Sequence, residues 1–170
     1  MKRACLALLG LCAVGVDRGA EPTGIRAIDH VGISTANMER SIHFYRDLLG
    51  MQLTEQDEVE NNPLYDHIFR LDNVKAKAAM LRLGSMQIEL FEFERPRGKR
   101  PDLNEPVDNP RIYHICFEVA DVEKEYQRLK AAGVPFHYPP QDFGTAKAVY
   151  GRDPDGNVFE LLQWTRKDGQ

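Results

Sequence analysis

The chain repeats itself, and this duplication limits the folds open to it more than any other feature of the sequence. Residues 28–33 (IDHVGI) align with residues 112–117 (IYHICF), 37–39 with 121–123, 50–51 with 133–134, and 86–93 with 157–164. The matched segments keep the same order along the chain. A repeat that preserves strand, helix and strand signals in sequence indicates a duplicated supersecondary unit.

Each copy begins with a strand and a helix. Residues 25–35 alternate between apolar and polar or small side chains, which predicts a half-buried strand. Asn37 then caps a helix whose apolar residues recur every three or four positions until Gly50 stops it. The second copy uses Asp121 as the cap and Gly133 as the stop.

Further strands follow each helix. Gly84 and Ser85 form a two-residue hairpin turn between strands at 78–83 and 86–93. Residues 152–157 (RDPDGN), rich in turn formers, join strands at 146–150 and 158–164. Each copy is therefore predicted to be a βαβββ module, and the fold class is α+β.

One domain, residues 23–166, holds both modules. Module 1 covers about residues 25–95, a proline-rich linker residues 96–110, module 2 residues 111–166 and a tail residues 167–170. The basic residues around the linker are interpreted as a solvated surface in preference to a grip on an anionic substrate. Residues 60–77 suggest a short extra helix carrying His67, which either covers a pocket mouth or adds to the core.

The first 22 residues differ from the rest. Lys2 and Arg3 precede an apolar and glycine run at residues 4–16, the layout of a secretory signal peptide that is too short for a stable membrane span. We therefore expect an exported protein whose mature body keeps only Cys116 of its three cysteines, with no disulfide framework. The net charge of −4 and the absence of a basic aromatic stripe argue against nucleic acid and favour a small-molecule partner.

Polar residues at equivalent positions predict a metal site. His30 corresponds to His114, and Glu89 corresponds to Glu160 in the other copy. The glutamates stand between apolar residues of interior strands, where an unpaired carboxylate would cost several kcal/mol. One divalent ion held by two imidazoles and two carboxylates would compensate them, and Zn, Ni, Co, Mn or Fe(II) suits such ligands.

Strand alternation predicts the wall of a pocket around this ion. Phe91 and Phe93 share a face with Glu89, Cys116 shares one with His114, and Leu162 and Trp164 share one with Glu160. Cys116 is interpreted as part of the wall, since no base is identifiable beside it to make it a nucleophile. The pocket is therefore expected to be aromatic with an acidic, metal-binding floor.

The paired modules and three motifs together resemble the vicinal oxygen chelate superfamily. The motifs are residues 29–32 (DHVG), residues 40–45 (RSIHFY) with 49–51 (LGM), and residues 152–157 (RDPDGN) before Glu160. The resemblance covers about residues 25–164. It implies two βαβββ modules paired as a half-open barrel around one metal ion, and it leaves a homodimer open.

The resemblance narrows the reaction only in part. Glyoxalase I and methylmalonyl-CoA epimerase use four ligands, matching His30, Glu89, His114 and Glu160, whereas extradiol dioxygenases use three and lack the match to Glu89. The resemblance therefore implies a lyase or isomerase that moves a proton beside a carbonyl, with Glu89 or Glu160 as the proton carrier. Two alternatives are a ring-cleaving dioxygenase, with His67 as an acid-base group, and a non-catalytic small-molecule-binding protein. Ser34 and Phe93 stand where glyoxalase I has residues that serve glutathione, which argues against glutathione as cosubstrate.

Overall fold

A computed structural model of the chain describes residue 24, residues 26–99 and residues 102–165. The predicted leader at residues 1–22 and the tail at residues 167–170 lie outside this part of the chain. Within it, no helix is long and apolar enough to cross a membrane.

Module 1 is a four-stranded mixed sheet with two helical elements. Its strands are β1 (His30–Ser34), β2 (Gln52–Glu60), β3 (Lys75–Leu83) and β4 (Met86–Arg95), in the order β1-β4-β3-β2. Its helices are α1 (Met38–Ile42), which continues as a π-helical segment (His43–Leu48), and α2 (Pro63–Phe69). Strand β1 is shorter than predicted, because its pairing with β4 begins only at His30 opposite Gln87.

Module 2 repeats this arrangement, which confirms the paired βαβββ fold. Its elements are β5 (His114–Glu118), α3 (Val122–Ala131), β6 (Gln141–Asp142), β7 (Ala146–Arg152) and β8 (Val158–Trp164), in the sheet order β5-β8-β7-β6. The first strand is parallel to the last in each module, and the other neighbours are antiparallel. The described strands form two separate sheets, so they do not close into a barrel.

The start of each helix is held in the same way in both modules. The side chains of Asn37 and Asp121 accept hydrogen bonds from backbone N–H groups three residues later, as predicted for N-caps. The first helical N–H is bound from the sheet, at 2.8 Å by the carboxylate of Glu92 and at 3.0 Å by the amide oxygen of Gln163. These two residues occupy equivalent positions on β4 and β8, so the duplication extends to side-chain contacts.

The π-helical segment was not predicted and changes which side chains are buried. Its wide turn directs both Phe44 and Tyr45 inward, each only 3% exposed, although they are adjacent in sequence. The ring of Phe44 lies 5.5 Å from the ring of Phe159 in module 2. The segment therefore helps to dock one module on the other.

One hydrophobic core joins the two modules. It contains the inner faces of both sheets and the apolar stripes of α1 and α3, among them Leu81, Ile88, Leu129, Phe159 and Leu161. The opposite face of each sheet carries the histidine and the glutamate, and we call it the His–Glu face. Packing of α1 and α3 on one face of each sheet therefore leaves the His–Glu pairs on the opposite face.

Helix α2 lies on the His–Glu face of module 1. Phe69 packs edge-on against Phe91 and Phe93, each with ring centres 5.2 Å apart, and Tyr65 stacks on Phe69. These residues form a second, smaller core cluster. The predicted short helix is thus present, and its apolar side covers part of the sheet face that carries Glu89.

Candidate metal centre

In module 1, His30 and Glu89 lie side by side on neighbouring strands. Their Nε2 and Oε2 atoms are 3.3 Å apart, and the side chains are 39% and 28% exposed. The other ring nitrogen of His30, Nδ1, is 2.9 Å from Oδ2 of Asp29. This contact is the main cause that raises the pKa of His30, and in the neutral ring it favours a proton on Nδ1 and a free lone pair on Nε2.

In module 2, His114 and Glu160 make the equivalent pair. Nε2 of His114 is 3.1 Å from Oε2 of Glu160, and the side chains are 24% and 16% exposed. Two tyrosines enclose the histidine ring, with Tyr113 at 4.4 Å and Tyr150 at 5.3 Å between ring centres. The Nδ1 atom of His114 is buried and has no partner among the described residues.

The spacing within each pair fits two ligands of one metal ion. Ligand atoms held 2.0–2.2 Å from an ion at tetrahedral or octahedral angles lie roughly 2.8–3.6 Å from each other. Both pairs fall in this range. Imidazole and carboxylate are also suitable donors for the divalent metals proposed from the sequence.

The two pairs stand on separate sheets in the single chain. Among the described residues, no group of three histidine, cysteine, aspartate or glutamate side chains is close enough to hold one ion. The structure therefore brings together His30 with Glu89 and His114 with Glu160, but it does not bring the four predicted ligands to one point. Each module carries one His–Glu pair, His30 with Glu89 or His114 with Glu160, and we call each pair a half-site.

The neighbours of the two glutamates differ. Glu89 is flanked in the sheet by Gly32 and Met80, whereas Glu160 is flanked by Cys116 and Tyr150. A Cβ atom at Gly32 would meet nothing within 4 Å, so the space beside Glu89 is open. The first half-site is therefore accessible, and the second is lined by a thiol and a phenol.

Cys116 is not activated as a nucleophile, and it lines neither of the two clefts described below. Desolvation of its thiol, together with the nearby charge of Glu160, raises its pKa to about 12. A thiol with this pKa is almost fully protonated at neutral pH and is a poor nucleophile. This fits the expectation from the sequence that Cys116 is not a nucleophile.

Two clefts lie near the half-sites. The inter-module cleft, about 330 Å³, lies between β1 and module 2 and is lined by Val31, Ile33, Tyr113, His114 and Phe117, among others. The linker cleft, about 700 Å³, lies at the end of the module 1 His–Glu face and is lined by Ser34, Leu71, Phe93, Arg97, Lys99 and Asn157, among others. Of the predicted wall residues, Phe93 lines the linker cleft. His67 is exposed on α2 and lines neither cleft.

The turn before β8 binds module 1 through two buried aspartates. Asp155 accepts hydrogen bonds from the Thr35 hydroxyl and from Nη2 of Arg40, both at 2.6 Å. Asp153 accepts one from the Tyr45 hydroxyl at 2.8 Å, and burial raises the pKa of this carboxyl. The conspicuous 152–157 motif therefore has a structural role, because it fixes the orientation of the modules that carry the half-sites.

Sequence reasoning missed three residues of the half-sites. Gly32 and Tyr150 were not recognised because their place beside a glutamate depends on strand register. Asp29 directly precedes His30, and this adjacency was the only available signal for its role. The sequence identifies the ligand candidates but not their immediate surroundings.

Comparison with known proteins places the chain in a family. Residues 27–161 match the model of the Glyoxalase/Bleomycin resistance protein/Dioxygenase superfamily, so the chain belongs to this superfamily. Glyoxalase I of Saccharomyces cerevisiae is 26% identical over 149 residues, which cover 82% of the chain. The chain spans about half of that relative, since the match covers 45% of its length.

Solved structures show the same fold. A glyoxalase family protein from Bacillus cereus superimposes with a TM-score of 0.76 at 21% identity, covering 85% of the chain and 99% of that protein. The fosfomycin resistance protein FosX of Listeria monocytogenes, in a complex with Mn(II) and sulfate, gives a TM-score of 0.58 at 20% identity. That match covers 83% of the chain and 94% of FosX. The proteins similar to this chain include a glyoxalase I and a fosfomycin resistance protein. Membership of the superfamily therefore does not identify the reaction.

Proposed function

We propose that the protein is a divalent-metal-dependent enzyme of the lyase or isomerase type, which moves a proton next to a carbonyl group. The observation that supports this most directly is the pair of equivalent His–Glu contacts at 3.3 and 3.1 Å. The proposed ligands are His30, Glu89, His114 and Glu160. The ion would act as a Lewis acid on the substrate oxygen.

The position of Glu89 favours this reaction class over a ring-cleaving dioxygenase. A three-ligand centre of His30, His114 and Glu160 would leave Glu89 without a role, yet its carboxylate lies against His30. The open space over Gly32 allows a substrate to approach Glu89. Glu89 is therefore the better placed of the two glutamates to take a proton from the carbon beside the carbonyl, and Glu160 to hold the complementary side of the centre.

The proposed centre requires a module 1 sheet and a module 2 sheet to face each other. The two pairs are separate in one chain, so they meet either when the two modules of a chain close or when two chains combine. Exchange between chains would place His30 and Glu89 of one copy opposite His114 and Glu160 of another. These two assemblies give different results when variants are mixed.

Metal content tests the centre itself. Purified protein should bind about one divalent ion per chain, and His30→Ala and His114→Ala should each weaken binding by at least about tenfold. His43→Ala is a matched control, because His43 is exposed and its Nδ1 atom lies 2.8 Å from Asp47, in the π-helical segment after α1 and away from both half-sites. Binding that survives both ligand substitutions would contradict the proposal.

Mixing the two ligand variants tests how the centre assembles. If two chains share each centre, a hybrid of one His30→Ala chain and one His114→Ala chain contains one centre of two with both histidines intact, and equal random mixing restores about a quarter of the metal binding. If each chain builds its own centre, mixing restores nothing. Metal content measured before and after mixing, with the oligomeric state from sedimentation, distinguishes the two assemblies.

A proton-exchange assay tests the reaction class. Metal-loaded protein in deuterated water should exchange protons of hydroxyacetone, or of the hemithioacetal of methylglyoxal with 2-mercaptoethanol, as followed by NMR. Glu89→Gln and Glu160→Gln should each reduce the rate by about 10²–10⁴-fold, the usual contribution of a general acid or base. Oxygen uptake with catechol in the Fe(II)-loaded protein, without any proton exchange, would instead support the dioxygenase alternative.

A further inference from the structure

The linker cleft combines an apolar wall with a cationic end. Its volume of about 700 Å³ lies within the range of small-molecule sites. Phe93 and Leu71 provide apolar surface, and Arg97 and Lys99 enter from the linker that follows β4. Such a surface suits a ligand with an apolar body and a negatively charged group.

The cleft is continuous with the His–Glu face of module 1. Glu89, Phe91 and Phe93 lie at every second position of β4 and therefore share one face of the strand. His30 and Ser34 share the same face of the sheet on β1. A strand advances about 3.3 Å per residue, so Phe93 lies about 13 Å from Glu89 along the strand. Phe69 covers Phe91 and Phe93, so an extended small molecule would reach the first half-site over β1, where Ser34 lines the cleft and nothing lies within 4 Å of a Cβ atom at Gly32.

The cations of the cleft are available to a ligand. The ion pairs found within residues 26–99 and 102–165 involve neither Arg97 nor Lys99. One carboxylate also lines the cleft, Asp155, but it is 4% exposed and is engaged by Arg40 and Thr35. Arg97 and Lys99 are therefore the charged side chains of the cleft lining that have no ion-pair partner among the described residues.

We propose that the linker cleft binds an oxyanion at the distal end of the substrate, so that the substrate is an apolar carbonyl compound with a carboxylate or phosphate group. The assignment rests on the proposed function for the role of the compound as substrate. Arg97 provides a planar donor pair for the oxyanion, and Lys99 adds a second positive charge. Phe93 packs against the apolar body, and the carbonyl end extends towards Glu89.

The oxyanion preference is measured with matched ligands. Titration calorimetry with 4-phenylbutyrate and with the neutral 4-phenylbutanamide should show about tenfold tighter binding of the acid at low ionic strength. Phenyl phosphate distinguishes the two oxyanions, since a phosphate-bearing substrate predicts tighter binding than that of the carboxylate. Equal binding of the acid and the amide, or no binding of either, would overturn the proposal.

Variants locate the preference in the cleft. Arg97→Gln with Lys99→Gln should abolish the preference for the acid while leaving the amide unchanged. Arg82→Gln with Lys124→Gln removes the same charge from exposed positions elsewhere and should leave the preference intact. A preference that persists without Arg97 and Lys99 refutes the site.

A metal-site variant separates this proposal from the proposed function. His30→Ala should lose metal but still prefer 4-phenylbutyrate to its amide, because the cleft does not contain His30. If the protein binds no metal and the preference is present, the proposed function fails and the oxyanion site stands. If metal binds and the preference is absent, only the oxyanion site fails.

Discussion

Replacing Asp155 with alanine should destabilise the protein by about 3 kcal/mol. The carboxylate is 4% exposed and accepts bonds from Thr35, Arg40 and the Ala36 N–H, at 2.6, 2.6 and 3.3 Å, and the Ser41 hydroxyl, which donates to Thr35, lies 3.3 Å away. A hydrogen bond to a charged group contributes about 1.5–3 kcal/mol. The Arg40 bond counts for less, because its side chain is 48% exposed and water can replace the lost partner.

A contact that remains in Asp155→Ala limits the loss of stability. The hydroxyls of Thr35 and Ser41 lie 2.6 Å apart and keep this bond in the variant, so neither is left without a partner. Asp155→Asn preserves the shape and one acceptor oxygen, and it should cost only about 1–2 kcal/mol. The difference in unfolding free energy between the two variants measures what the shape of the side chain and the remaining acceptor oxygen contribute to stability.

Urea unfolding followed by circular dichroism measures the effect. With a slope of about 2 kcal/mol per molar, Asp155→Ala should lower the midpoint by about 1.5 M. Asp108→Ala, in the exposed linker, is the control and should change stability by less than about 0.5 kcal/mol. A change for Asp155→Ala no larger than this control would refute the argument.

A double-mutant cycle tests whether the contact joins the modules. Thr35 precedes α1 in module 1 and Asp155 lies in module 2, so Thr35→Val and Asp155→Ala should show a coupling energy of about 1 kcal/mol or more. Independent, additive effects would mean that the two residues do not meet. The docking of the modules would then differ from the arrangement described.

Three further changes test the half-sites and the core. Gly32→Val should leave the stability measured by urea unfolding unchanged or higher, because nothing lies within 4 Å of the added Cβ. The same variant should reduce proton exchange at least about tenfold, because the valine fills the space beside Glu89. Equal losses of stability and exchange would contradict this. Gly151→Ala should cost about 1–3 kcal/mol in the same unfolding assay, since its Cβ would lie 2.5 Å from the Phe159 ring; Gly32→Ala is the matched control. In native protein freed of metal by a chelator, iodoacetamide should label Cys116 slowly. The labelling rate should still rise above pH 10, because the pKa of the thiol is raised to about 12. A rate that levels off near pH 9, as in the urea-unfolded chain, would refute the raised pKa of this thiol.

Much of the fold followed from local signals. The duplication predicted two βαβββ modules, and Asn37, Asp121 and the Gly84-Ser85 turn placed helix starts and a hairpin as the structure has them. These features are local, because a cap or a turn depends on a few neighbouring residues. The π-helical segment escaped prediction, since burial of Phe44 beside Tyr45 depends on packing against the other module.

The sequence by itself determined the two His–Glu pairs, and the tertiary structure decided their surroundings. Equivalent positions in the repeat identified His30 with Glu89 and His114 with Glu160, because parallel pairing of the first and last strands follows from the module. Strand register then placed Gly32 beside one glutamate and Tyr150 beside the other. The separation of the two pairs also depends on how the modules dock. Docking is set by contacts between residues more than a hundred positions apart, such as Thr35 with Asp155, which no local pattern encodes.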